Sequence, residues 1–380
     1  MRTGVEIAFW VAAGLLVYAQ AGYPLLLAAL DRVAGHRPRA PAAADAPLPE
    51  VSLIVAAYNE AAIIEGKLRD ALALDYPRER LQLIVTCDGC SDDTAALARA
   101  AGADVVLENP RGGKVRAQDA AVDRATGDVV AFSDANARWE PGALRALLAP
   151  FADPRVGYVC GQVRFTGDGA TNQEGLYWRY ELWTRGLESR LASITAGNGA
   201  IYATRREAYL KVDPVMGHDL SFPFNLVKRG WRAVYAPAAR ATEPMVPTIE
   251  GEFARKRRMM SHTWPIVLRG GMLSPRGYPP LYALMIASHR VLRYLTPFLH
   301  AAALALNVAA LSLGAGALYW ATLAAQLLLL AAALAAGALP VRPLLVARYY
   351  VLTTASLAAG LWDWLRRGTA AGWEPAEGTR

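Results

Sequence analysis

Hydrophobic positions along this chain fall into short runs and long ones, and the two kinds predict different structures. Val51-Ser52-Leu53-Ile54-Val55, Leu83-Ile84-Val85-Thr86 and Val129-Val130-Ala131-Phe132 have the length and β-branched character of buried strands. Each leads straight into polar residues: Tyr58-Asn59-Glu60, Asp88-Gly89-Cys90-Ser91-Asp92-Asp93-Thr94 and Ser133-Asp134-Ala135-Asn136. Helices are expected between them at about 61–73, at 92–101 with Ser91 as N-cap, and at 114–125 after Gly112-Gly113. Strands alternating with helices predict an α/β fold with a doubly wound, mostly parallel sheet. Ligands of such sheets bind beyond the carboxyl ends of the strands, so the three polar turns share one edge.

The long runs lie at the two ends. Val5 to Leu30 is broken only by Glu6 and exceeds the roughly 20 residues that a spanning helix needs. A signal peptide is the competing reading, but the run is longer than an h-region of about 7–15 residues and Asp31-Arg32 follows without a cleavage signal. From Tyr278 onward, candidate spans lie near Leu295–Leu313, Ala317–Leu339 and Leu344–Leu365. Leu281 to Leu295 is interrupted by His289, Arg290 and Arg293 and reads as an amphipathic helix on the membrane interface. The expected division is a transmembrane helix at 1–32, a linker at 33–48, a globular domain at 49–265, an interface region at 266–295, about three transmembrane helices at 296–365 and a tail at 366–380.

Charge adds orientation. Arg32, His36, Arg37 and Arg39 follow the first span, which places the globular domain in the cytoplasm by the positive-inside tendency. One span before the domain and three after it would put Arg366 and Arg367 on the far side, against the same tendency. The net charge of +7 comes with 40 basic residues of which five are lysine, a bias that speaks of genome composition and of no nucleic-acid partner. Cys87 and Cys90 form C-x-x-C, but a zinc site needs two further ligands, and small residues at a strand end are the simpler reading.

Several residues carry candidate chemistry. Arg111-Gly112-Gly113-Lys114 is not a P-loop, since Glu108 stands at the first glycine position and Val115 follows the lysine. A Gly-Lys turn opening a helix still suits an anion, through backbone N–H groups and the ammonium, or it is an ordinary helix start. Asp134 and Asn136 offer hard oxygen ligands for Mg²⁺ or Mn²⁺; an Asx turn is the alternative. Asp219 is a candidate general base or a helix N-cap. In Glu252-Phe253-Ala254-Arg255-Lys256-Arg257-Arg258-Met259, Arg255 and Arg258 share a helix face, as a phosphate clamp or as an anchor for anionic lipid.

In their order, these segments resemble the family 2 glycosyltransferases of GT-A fold, in particular the membrane-integrated branch similar to cellulose and hyaluronan synthases. Val51 to Glu60 matches the first strand and the P-x-Y-N-E turn, with Ala56-Ala57 where proline is common. Asp88-Gly89-Cys90-Ser91-Asp92 matches the nucleobase turn, Gly113-Lys114 the donor-side turn and Asp134-Ala135-Asn136 the D-x-D position. Gly197-Asn198-Gly199-Ala200-Ile201-Tyr202 with Arg205-Arg206 looks like the family's glycine-rich turn and R-R segment, and His218-Asp219 stands where E-D or D-D is usual. Of the Q-x-x-R-W signature of processive members only Arg258 survives, with Arg255 and Met259 in place of glutamine and tryptophan.

The resemblance implies an inverting membrane glycosyltransferase with Asp219 as base. It places Ala57, Tyr58, Glu60, Asp88, Lys114, Asp134, Arg255 and Arg258 on a nucleotide-sugar donor, expected to be a UDP-sugar. Gly197, Asn198, Gly199 and His218 fall on the acceptor side, and Asp134 with Asn136 on Mg²⁺ or Mn²⁺. The acceptor would be a polysaccharide or a lipid-linked glycan, and the setting a multi-pass protein of the inner membrane. The alternatives are single transfer to a polyprenyl phosphate or glycolipid, and a nucleotide-sugar-binding protein without catalysis. A transporter is disfavoured, because the C-terminal spans carry no interior acid before Asp363. Oligomeric state is left open.

Overall fold

Eight strands form a single sheet in the order β3-β2-β1-β4-β7-β6-β8-β5. The computed structural model describes residues 1–34, 48–166, 172–244 and 248–372, except the side chains of 172–177, so His36, Arg37, Arg39 and most of the expected linker lie outside the described residues. The strands are β1 (Val51–Ala57), β2 (Leu81–Asp88), β3 (Val105–Asn109), β4 (Val129–Asp134), β5 (Arg138–Trp139), β6 (Val156–Thr166), β7 (Ile201–Arg205) and β8 (Arg232–Pro244). β3, β2, β1 and β4 are parallel; β7 runs against β4 and β6, β8 runs parallel to β6, and β5 runs against β8. Every residue of β1 is buried, as expected for a strand covered on both faces.

The helices are α1 (Arg2–Val17), α2 (Tyr23–Ala34), α3 (Ile64–Leu72), α4 (Thr94–Ala100), α5 (Lys114–Val122), α6 (Ala143–Leu148), α7 (Asn172–Leu191), α8 (His218–Lys228), α9 (Ile249–Leu268), α10 (Pro280–Met285), α11 (Leu292–Tyr294), α12 (Thr296–Ser312), α13 (Ala317–Ala335) and α14 (Arg342–Arg367). Leu53, Val55, Leu83 and Val85 pack with Ile64 and Leu68 on one face of the sheet, while Ile54, Phe132, Tyr202 and Phe222 pack on the other. The first helical segments start later than expected: α4 opens at Thr94, whose N–H donates to Asp92 Oδ1 at 3.1 Å, so Asp92 and not Ser91 supplies the side-chain oxygen.

Three helical stretches are long and apolar enough to cross a membrane: Arg2–Val33, Ala317–Ala335 and Arg342–Arg367. Pro280–Tyr294 and Thr296–Ser312 meet that test only as a pair, bent by 64°. The expected interface helix differs in a way its charges explain. His289 and Arg290 are buried in protein: His289 Nδ1 lies 2.6 Å from Glu188 Oε1, and Arg290 Nε donates to Thr195 Oγ1 at 2.8 Å. Arg293 pairs with Glu181, and Tyr23 donates to Glu188 at 2.6 Å. These charges find carboxylates on α7 instead of lipid headgroups.

Candidate functional site

Strand register brings the first three polar turns together. Ala56 pairs with Asp134, Ala57 with Cys87, and Asp88 with Asn109. The Tyr58-Asn59-Glu60 turn passes through Asn59 in left-handed conformation, φ 53°, which asparagine tolerates. Asn59 Oδ1 accepts from the Ser91 N–H at 2.9 Å, the Glu60 N–H donates to Thr94 Oγ1 at 2.8 Å, and the Ala61 N–H donates to Asp92 Oδ2 at 3.1 Å. Two turns far apart in sequence thus form one rigid rim, with Glu60 buried inside it.

Asp88 does not present its carboxylate to the cleft. It accepts from the Gly112 N–H at 2.7 Å, the Gly113 N–H at 2.9 Å and Arg111 Nη1 at 3.2 Å, and it is 2% exposed. Two free N–H groups at a helix start capture a nearby carboxylate, and Asp88 thereby shapes this turn. Arg111 then lies 3.2 Å over the Tyr58 ring. Gly113 has φ +96°, and a β-carbon there would overlap the Ala371 carbonyl, because the segment after α14 crosses the turn. Thr369 Oγ1 ties that segment to α9 by donating to the Ser261 carbonyl at 2.7 Å.

Lys114 and Asp134 meet as an ion pair at the centre of the cleft, both partly exposed. Gly199 faces them: a β-carbon would lie 3.3 Å from Lys114 Nζ and 3.7 Å from Asp134 Oδ2. The Gly197 N–H donates to the Asp219 carbonyl at 2.7 Å, while Asn198 closes its own turn by accepting from the Ala200 and Ile201 N–H groups at 3.1 and 2.9 Å. The 197–199 turn therefore links the ion pair to Asp219, in the first turn of α8. Burial pushes the Asp219 carboxyl above the usual carboxylate range, with Lys114 opposing. His218 is directed into the core instead of toward an acceptor. It is 3% exposed, its Nδ1 lies 2.8 Å from Tyr202 Oη, its ring sits 4.1 Å from Phe222, and burial holds it neutral with a pKa lowered to about 3.

Two residues of the cleft escaped sequence reasoning. Glu243 ends β8, which runs the same way as β4, so the strand-end argument that singled out Asp134 applies to it as well. Burial and then the charge of Asp134 push Glu243 up to about 7, with Lys114, Arg255 and Lys67 opposing. Lys67 shares the buried stripe of α3 with Ile64, Leu68 and Ala71, and its ammonium donates to Ser133 Oγ at 2.6 Å and to the Ala137 carbonyl at 2.5 Å. Burial lowers its pKa to about 8, against the pull of Asp134, Asp70 and Glu243. A lone lysine in an apolar helical stripe was the available signal.

The α9 arginines divide. Arg255 is held bidentately by Glu252, at 2.7 Å through Nε and 2.7 Å through Nη2. Arg258 lines a cavity of about 310 Å³ with Arg257, Asp363 and Arg367. Asn136 lines another of about 310 Å³ with Lys67, Asp70 and Arg138. Among the described residues no group of three or more His, Cys, Asp or Glu side chains is placed to hold a metal ion. The donor set fits a cation that arrives with phosphates: Asp134 already faces the Lys114 ammonium, and Mg²⁺-type ions often take one or two protein oxygens with the rest from phosphate and water.

A sequence profile described as "Glycosyltransferase like family 2" matches residues 49–261. A β-monoglucosyldiacylglycerol synthase of Synechocystis is 30% identical over 207 residues, covering 50% of this chain and 40% of its own length. An N-acetylglucosaminyltransferase of Rhizobium leguminosarum is 26% identical over 232 residues, covering 56% and 54%. The matched region is thus about half the length of these curated relatives. A mannosyltransferase from Pyrobaculum calidifontis, solved in complex with GDP-Man and Mn²⁺, superposes with a TM-score of 0.70 at 25% identity, covering 94% of this chain and 99% of that one.

Proposed function

From the premise that the chain belongs to glycosyltransferase-like family 2, we propose that it transfers a sugar from a nucleotide-diphosphate sugar to an acceptor presented at a membrane. The observation that carries this reading is the arrangement around Gly197–Gly199, which puts a lysine–carboxylate pair and a carboxyl of raised affinity for protons in one cleft. Asp219 takes the proton of the acceptor hydroxyl as the oxygen attacks the anomeric carbon, and the glycosyl–phosphate bond breaks on the opposite side. Its raised pKa makes it a better base than an exposed carboxylate. Lys114, and Arg258 from α9, face the charge that builds on the departing diphosphate. Asp134, with Asn136 two residues on, would hold Mg²⁺ or Mn²⁺, which would supply further neutralisation of that charge. The Tyr58–Arg111 stack and the Gly112-Gly113 turn receive the nucleoside.

For the acceptor we favour a lipid-borne one with a single transfer. The loss of glutamine and tryptophan from Arg255–Met259 removes the signature of processive members, and the flanking apolar helices adjoin the Asp219 end of the cleft through α9. The catalytic domain faces the cytoplasm, where nucleotide sugars are made. Purified protein in lipid, assayed for hydrolysis and transfer across UDP-sugars and GDP-mannose with Mn²⁺, tests the proposal. Turnover of one donor that depends on added membrane lipid is the expected result, and the absence of any turnover across the panel would sink it.

A further inference from the structure

Asp134 and Asn136 sit on a β-turn closed by the Ala137 N–H onto the Asp134 carbonyl at 3.2 Å. A turn at a strand end holds its side chains within the tolerance of a binding site only when its flanks are fixed by packing and hydrogen bonds. Lys67 fixes both flanks. Its ammonium reaches Ser133 Oγ, just before the turn, at 2.6 Å and the carbonyl of Ala137, the last residue of the turn, at 2.5 Å. Ser133 in turn donates to the Asp134 carbonyl at 3.1 Å, so one cation ties α3 to both flanks of the turn.

Both of these direct contacts of Lys67 are to uncharged oxygens. Burying an ammonium against such partners is unfavourable compared with an apolar side chain of similar volume, which the stripe of Ile64, Leu68 and Ala71 would accept. The charge has a use here. Asp134, Asp70 and Glu243 surround it, and Lys114 already sits on Asp134 from the other side. A cation held at Asp134 would take the place of Lys114, whereas Lys67, bonded on two sides, would stay.

We propose that Lys67 is a positioning residue that sets the Ser133–Ala137 turn to receive a divalent cation carried by a nucleotide diphosphate. This rests on the reading of the turn as the donor site. The test is calorimetry of UDP and GDP binding to the full-length protein, with Mn²⁺ and with EDTA, for the parent, Lys67→Met and Ser133→Ala. Lys67→Met is expected to lower affinity in Mn²⁺ by about tenfold or more, the usual effect of losing a group that orients a metal ligand, and to change affinity in EDTA by less than about twofold. Ser133→Ala removes one of the two bonds and is expected to act in the same direction by about threefold. Equal losses with and without Mn²⁺, or no loss at all, would overturn the inference. If Lys67→Met does not fold, Ser133→Ala decides by the same comparison. A parent that binds nucleotide equally in Mn²⁺ and EDTA would overturn the donor-metal reading and this inference with it.

Discussion

The two carboxylates of the cleft are built in opposite ways. Asp134 ends a strand, is partly exposed, faces a lysine and has a second lysine bonded behind its turn. Asp219 opens a helix, is also partly exposed, and has Lys114 among the groups that oppose its raised pKa. Two lysines flank the first, Lys114 on its carboxylate and Lys67 behind its turn. Desolvation raises the proton affinity of the second. In the proposed reaction the same side chain serves as an ion-holding group at one end of the cleft and as a proton acceptor at the other, and the neighbours decide which.

The largest expected effect breaks the pair at the base. Asp219→Asn should lower turnover by about 10³-fold, within the range for loss of a general base, while nucleotide affinity measured by calorimetry stays within about twofold. Near-normal turnover would remove the distinction between the two ends. Asp134→Ala should do the converse, with nucleotide affinity in Mn²⁺ reduced by about tenfold or more and affinity in EDTA nearly unchanged.

A subtler test uses pH. The folded-state pKa of Asp219 is raised above that of the unfolded chain, so its ionisation opposes folding above that folded value and ceases to do so as pH falls below about 4. Asp219→Asn should therefore raise the melting temperature at pH 7, with the gain shrinking toward pH 4. The acid limb of turnover in the parent should lie above the range of an ordinary carboxylate. A melting temperature that does not respond to the substitution at pH 7 would show Asp219 to be no more strained than Asp134. The smallest effect is expected on α9: Arg258→Lys should reduce turnover more than Arg255→Lys, by about tenfold against twofold, since the Arg255 fork is occupied by Glu252.

What could be read in advance follows from the range of the interactions. The strands, the turns at their ends and Asp134 were legible because a buried run followed by polar residues is a local pattern. Glu243 was not, because the direction of β8 depends on its pairing with β6, which lies more than 60 residues upstream. Lys67 carried no local signal beyond its place in an apolar helical stripe, because its partners meet it only where α3 packs beside the 133–137 turn. The bonds of Asp88 were not legible for a similar reason: its partners, Gly112 and Gly113, are 24 and 25 residues away and reach it only when α5 docks. Charge in the 281–295 segment was visible, but the acids that neutralise it sit on α7.

The contact between the segment after α14 and the Gly113 turn also counts crossings. A chain that leaves the catalytic domain and returns to touch it must traverse any bilayer an even number of times. Ala371 lies on Gly113, so the apolar stretches after α9 can contribute only an even number of complete passages to any bilayer. α14 is bonded to α9 near both its ends, Arg348 to Glu250 at 2.6 Å and Asp363 to Arg257 at 2.6 Å, and so runs beside the domain. Arg366 and Arg367, in the last turn of α14, stand just before the segment that touches the Gly113 turn, so in any bilayer they would lie on the same side as that turn.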